Sequence, residues 1–210
     1  MFRRTAESTV RACVRWGVHA DAVSYASLLA SAAAALCFWQ SGRQPWLLIP
    51  AVGFCYLRLW MNMLDGMVAI ASGTCSQRGE LLNDLPDRIS DVAIFVGVAH
   101  SGLCHPLGGY WVSIFALLVA YVGTFGQAVG AQRQFGGVMS KPWRMVALHV
   151  GSWLTLGLLW SHQPIVWADL TILDWTQLAI IAGCVQTVWL RLARILQGLE
   201  RERVSRPGGS

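Results

Sequence analysis

Apolar residues collect in six long stretches, near 22–40, 46–65, 86–104, 110–132, 145–161 and 173–195, with short polar breaks between them. Each comes close to the ~20 residues that a helix needs to cross a hydrocarbon core of about 30 Å. None shows the strict alternation of a membrane β-strand, and backbone in lipid has to satisfy its own polar groups within a helix. The pattern therefore predicts an all-α integral membrane protein with about six transmembrane helices. Ahead of them, Arg3, Arg4, Arg11 and Arg15 are interleaved with Val10, Val14, Trp16 and Val18, as in an amphipathic helix lying in the interface. The first apolar run starts near Ala22 and reaches spanning length, which argues against a cleaved leader. The expected organisation is an interfacial segment over 1–21, a six-helix membrane domain over 22–196 and a polar basic tail over 197–210.

Composition agrees: 55% of the 210 residues are hydrophobic and 13% charged, too few charges to solvate an ordinary soluble domain. The charges that remain are placed unevenly. Arg78, Arg88, Arg133, Lys141, Arg144, Arg191, Arg194 and both termini fall in one set of compartments, whereas the opposite loops hold Arg43. Cations gather on the cytoplasmic side, so both termini and the breaks around 66–86 and 133–144 are expected there, in a multi-pass cytoplasmic (inner) membrane protein. The net charge of +5 is spread over tails and short loops, which speaks for anionic headgroups as counterions and against nucleic acid as a partner. Six scattered cysteines without a CxxC pair read as small packing residues. Trp46, Trp111, Trp143, Trp160 and Trp175 lie near span ends, where an indole suits the headgroup level.

The acidic residues carry the chemistry. Of eleven in the chain, five fall between Asp65 and Asp91. A carboxylate at membrane depth costs about 2.5–3.5 kcal/mol even on the milder scale, so it is paired, metal-bound or turned to water. Asn62, Asp65 and Ala69 stand at i, i+3 and i+7, and Asn83, Asp87 and Asp91 at i, i+4 and i+8, so each set shares a helix face. Two adjacent helices can aim these faces at each other, with Gly66 and Gly79 leaving room for close approach or for a phosphate. Oxygen ligands without a His or Cys cluster suit Mg2+ or Mn2+, which neutralise phosphate charge. The plainer reading is that Asp84, Asp87 and Asp91 pair with Arg78 and Arg88 at a solvated helix start, where the helix dipole also favours carboxylates.

The stretch from Asn62 to Asp91 resembles the CDP-alcohol phosphatidyltransferases, whose pattern is DxxDGxxAR, eight residues, then GxxxDxxxD. Asp65, Gly66, Ala69, Gly79 and Asp87 match in identity and spacing, while Asn62, Ile70 and Asn83 stand where the pattern has Asp, Arg and Asp. The resemblance implies six helices, an amphipathic N-terminal segment and a site at the cytoplasmic ends of the second and third helices. It further implies that four motif acids hold two cations and that the last, here Asp87, takes the proton of the attacking alcohol. By position the ligands would be Asn62, Asp65, Asn83 and Asp87. Each asparagine still offers a carbonyl oxygen but removes a full negative charge, so two dications should bind less well. A one-metal site, or recruitment of Asp84 and Asp91, would compensate.

Basic residues are common in this family after the fourth helix, and Arg133, Lys141 and Arg144 would there bind an acceptor's phosphate or the pyrophosphate of the donor. Taken singly, each of them is accounted for by positive-inside topology. Arg58, one turn before Asn62 inside the second stretch, must find an anion, water or the interface and is a further candidate for substrate phosphate. The activity implied is transfer of a phosphatidyl or similar phosphoalcohol group from a CDP-linked lipid donor to an alcohol acceptor with release of CMP, in phospholipid biosynthesis. Homodimers are common in that family. A rival reading, prompted by the two asparagines, is a family-fold protein without turnover that binds CDP-lipid or lipid headgroups. A small transporter is disfavoured by the lack of an internal repeat and of mid-span acids in the later helices.

Overall fold

The structure, a computed structural model, describes residues 9–10, 15, 20–71 and 77–205. Six α-helices order these residues: α1 (Ala20–Gln40), α2 (Leu48–Ala71), α3 (Gln77–Ala99), α4 (Pro106–Ala128), α5 (Lys141–Trp160) and α6 (Ile172–Ser205). A 3-10 turn at Pro45–Leu47 leads into α2, and two-residue strands β1 (Val166–Trp167) and β2 (Leu170–Thr171) form a hairpin before α6. The elements of the described residues are thus helical, apart from that hairpin.

Among the described residues, four segments are long and apolar enough to cross a membrane: Ala22–Gln40, Pro45–Val68, Pro106–Ala128 and Ile172–Glu200. Helices α3 and α5 lie where spans are expected but do not reach that apolarity. The first half of α3 carries the acidic stretch, and α5 is diluted by Lys141, Arg144, His149, Ser152 and Thr155. The N-terminal interfacial segment falls largely outside the described residues. Of it, Val10 is buried in a small apolar cluster with Val23, Leu64 and Val68.

Boundaries near the acidic stretch differ from the expectation in an instructive way. Helix α2 runs on to Ala71 instead of stopping at 65, and α3 starts at Gln77 instead of 86. Both halves of the motif are therefore helical, as the Met, Leu, Glu and Ala between the polar positions favour. Pro86 sits inside α3 instead of opening it, and its missing N–H frees the carbonyl four residues earlier from the helix ladder. Helices in membranes tolerate this where protein or water can satisfy the freed group.

The chain forms two compact units, Met1–Pro106 and Leu107–Ser210. In the first, α1 packs on both α2 and α3. Its core is small and tight: Ala34 and Phe38 of α1, Ala51 and Cys55 of α2, and Ile94, Phe95 and Val98 of α3 are all buried. Gly97 sets the α1–α3 crossing, since a Cβ there would meet the Ala35 backbone, with the Ala35 Cα at 2.7 Å.

In the second unit α5 packs on α6 around Met145, Leu148, Leu156, Ile180 and Cys184. Ala168 and Asp169 join β1 to β2 with φ of 51° and 61°. Positive φ at both central residues is what a type I′ turn requires, and it matches the twist of the paired strands. The Thr171 hydroxyl then accepts the Asp174 N–H at 3.1 Å while the Asp174 carboxylate accepts the Thr171 N–H at 2.9 Å. This reciprocal capping box starts α6.

Candidate functional site

The site residues belong to the first unit and are built outward from α2. Asn62, Asp65 and Arg58 share one stripe of that helix, set by spacings of three, four and seven residues. The stripe lies between α1 on one side and α3 on the other. From α1, the Ser24 hydroxyl donates to Asp65 Oδ2 at 2.9 Å and the Ser27 hydroxyl donates to Asn62 Oδ1 at 2.7 Å. From α3, the Asp87 carboxylate accepts a short hydrogen bond from the Asn62 side-chain amide. Asn62 thereby links three helices, and its oxygen and nitrogen are assigned by what they face, a hydroxyl donor and a carboxylate.

One turn further along, the Arg58 guanidinium reaches into α3. Its Nη2 donates to Asp91 Oδ1 at 2.7 Å and to the Asp87 backbone carbonyl at 3.0 Å, and lies 3.8 Å from Asp87 Oδ1. Arg58 is 0% exposed and Asp91 1%, so this is an ion pair removed from solvent. The side chain singled out for a substrate phosphate is thus turned toward protein carboxylates. Asp84, by contrast, pairs with Arg88 at 2.6 Å one turn along α3, half-exposed as the plainer reading expected.

Burial grades along the site. Asp65 is buried, and its Oδ1 accepts the Gly66 N–H at 2.6 Å, whereas the Asp87 side chain keeps 16% exposure. A Cβ built on Gly66 meets no atom within 4 Å among the described residues. The side chains of Ala69, Ile70, Gly79 and Asn83 lie outside the described residues.

The described donors are carboxylate and amide oxygens, with serine hydroxyls behind them. That set fits a hard divalent cation such as Mg2+ or Mn2+, and the described residues that would hold one are Asp65 and Asp87, with Asn62. Among the described residues no group of three or more His, Cys, Asp or Glu gathers into a metal cage.

The other basic candidates belong to the second unit. The Arg133 guanidinium stacks over the Phe135 ring at 5.1 Å, and Lys141 is the first residue of α5. Arg144 is buried at 1% exposure and donates to the Met139 carbonyl at 3.1 Å, holding the loop that precedes its own helix. Arg191 on α6 holds the same loop through the carbonyls of Phe135 and Gly136, and donates also to the Val119 carbonyl of α4. Sequence reasoning did not single out Arg191. It also passed over Ser24 and Ser27, although Ser24, Ser27 and Ser31 stand at i, i+3 and i+7, the spacing of one helix face.

Comparisons with known proteins extend along most of the chain. The phosphatidylinositol phosphate synthase of Mycobacterium marinum is 24% identical over 204 residues, spanning 90% of this chain and 81% of its own length. That of Mycobacterium bovis is 27% identical over 200 residues, spanning 90% of this chain and 87% of its own. A crystal structure of Mycobacterium tuberculosis phosphatidylinositol phosphate synthase with CDP-DAG bound superposes with a TM-score of 0.73 at 24% identity, covering 91% of this chain and 94% of that one. A second, in complex with manganese and citrate, gives 0.73 at 22% identity, covering 91% and 88%. No protein-family model matches the chain.

Proposed function

We propose, from the premise that this chain is a distant homologue of phosphatidylinositol phosphate synthases of the CDP-alcohol phosphatidyltransferase family, that it is itself a membrane phosphotransferase. It moves a phosphatidyl group from a CDP-linked lipid donor to an alcohol and releases CMP. The observation that carries this is the Asn62–Asp87 hydrogen bond, which joins the two halves of the acidic motif across neighbouring helices. All six helices would cross the membrane, with both termini and the site at the cytoplasmic face. The chain would then be organised as an interfacial segment over 1–21, a membrane domain over 22–196 and a basic tail beyond it.

In this reading Asp65 and Asp87 are the principal carboxylates, Asn62 and Asn83 supply amide oxygens, and Gly66, Ala69 and Gly79 give clearance. Bound Mg2+ or Mn2+ would neutralise the donor diphosphate. The acceptor hydroxyl oxygen attacks the phosphorus that carries the diacylglycerol, the bond from that phosphorus to the CMP oxygen breaks, and Asp87 takes the hydroxyl proton. Asp87 suits that role because its carboxylate is partly exposed and is held by donors on its inner side. Asp65 is buried and doubly hydrogen-bonded, which suits a fixed ligand. Arg133 and Lys141 would meet phosphate groups of donor or acceptor as fixed cations.

The test is CMP release from CDP-diacylglycerol by the purified protein in vesicles, with Mg2+ or Mn2+ and a panel of alcohols that begins with an inositol phosphate, as the names of the relatives suggest. Metal-dependent release that Asp87→Asn abolishes is the expected result. A second reading, a CDP-lipid binding protein without turnover, is favoured by the amide that stands at position 62 and already bonds Asp87. Bound CDP-diacylglycerol with no CMP from any alcohol would select it.

A further inference from the structure

The geometry points to a single divalent cation per chain at this site, with the Arg58 guanidinium standing in for a second. The inference rests on the phosphotransferase reading and concerns how that site is charged. In the family pattern two cations are set against four motif acids; here the protein supplies part of the positive charge from its own side chains.

Two donors converge on one face of Asp87. The Asn62 amide hydrogen-bonds Oδ1, and Arg58 Nη2 lies 3.8 Å from the same oxygen while bonding the Asp87 carbonyl and Asp91. A dication placed on that oxygen would have to displace the amide hydrogens and sit beside a guanidinium that cannot give up its proton. Arg58 cannot swing away either, because it is fully buried and its partner Asp91 is buried with it. Like charges at such range, away from water, repel strongly.

The Arg58–Asp91 end is shut away from water, so a second dication there would lie beside a fixed buried cation, a state that burial penalises heavily. The one ion then belongs toward Asp65 and the outer, partly exposed side of Asp87, away from the Arg58–Asp91 end.

The experiment is Mn2+ binding to the full-length protein in detergent or nanodiscs, counted by equilibrium dialysis and read by electron paramagnetic resonance. Wild type should take up one Mn2+ per chain and give an uncoupled six-line spectrum. The double variant Asn62→Asp/Arg58→Gln has two further negative charges and should take up a second ion, with the dipolar broadening of a close pair. Two coupled ions in wild type would overturn the inference and leave the phosphotransferase reading standing. No bound ion would overturn the inference as well, and if CMP release were also absent the reading itself would fall. If the double variant does not fold, the wild-type stoichiometry decides alone.

Discussion

Arg58 and Asp91 meet at 2.7 Å across the α2–α3 interface with both side chains almost completely withdrawn from solvent. A pair of this kind contributes little net stability as a pair, because desolvation offsets the attraction, but breaking it strands a charge in an apolar environment. Arg58→Leu should therefore lower stability by about 3–5 kcal/mol, and Asp91→Leu by a similar amount. The double variant Arg58→Leu/Asp91→Leu should recover most of the loss. Unfolding in mixed micelles, run as a double-mutant cycle, measures the coupling, and additive losses would show that the two residues act separately.

The serines of α1 hold the motif face from behind. Ser24 gives Asp65 a hydrogen bond at 2.9 Å and Ser27 gives Asn62 one at 2.7 Å. A hydrogen bond to a charged group contributes about 1.5–3 kcal/mol and a neutral one about 1 kcal/mol. Ser24→Ala should thus cost more stability than Ser27→Ala, and should also raise the Mn2+ concentration that half-saturates the site. Ser113→Ala removes a hydroxyl that bonds the Gly109 carbonyl in its own helix and serves as the control, leaving Mn2+ binding unchanged. Equal metal affinities for Ser24→Ala and wild type would remove Ser24 from the site.

Glycines 66 and 97 look alike in the sequence and separate in the structure. A Cβ at Gly97 would collide with the Ala35 backbone, which has no flexible end to yield, whereas one at Gly66 meets no atom within 4 Å among the described residues. Gly97→Val should force α1 and α3 apart and lower the melting temperature, at a cost of about 1–3 kcal/mol. Gly66→Ala should melt no lower than wild type, since alanine favours helix by up to ~1 kcal/mol over glycine. If Gly66 provides clearance for a ligand phosphate, the same variant loses CMP release by tenfold or more. A Gly66→Ala protein with full activity would show that the space there is not used.

How much of this was legible in the sequence depends on how rare each signal is. Asp65 and Asp87 stand out because carboxylates are scarce in an apolar chain and costly there, so their spacing marks the candidate site. The lengths of α2 and α3 were not legible, because the polar motif interrupts the hydropathy that marks a span while leaving helix propensity intact. Arg58 was visible as a buried charge, but helical spacing cannot say which of the nearby acids it chooses, and Asp91 lies on a different helix. Ser24 and Ser27 went unnoticed because serine is common in membrane helices, where its hydroxyl can bond its own backbone, as Ser31 does with the Ser27 carbonyl at 2.8 Å. The hairpin before α6 was missed because Ala168 and Asp169 are not the Asn-Gly or Asp-Gly pair that advertises a type I′ turn.

Arg191 shows that a cation expected from charge bias alone can also be structural. Its three donors serve the carbonyls of Val119, Phe135 and Gly136, and Thr187 one turn away accepts the Met139 N–H at 2.9 Å. Together they tie the 129–140 loop, which carries Arg133, to α6. Removing the guanidinium takes the donor from the part-buried Phe135 and Gly136 carbonyls of the loop, so the loop should open locally while the helices stay folded. Arg191→Leu should then be cut by trypsin after Arg133 at least tenfold faster than wild type, because cleavage follows the population of the open loop and each ~1.4 kcal/mol of lost local stability multiplies that population by ten. Arg191→Lys, which keeps the charge but cannot reach three carbonyls at once, should fall between the two. Identical cleavage rates for all three proteins, with unchanged global unfolding, would mean that the loop is held by other contacts and that the Arg191 hydrogen bonds are incidental to its order.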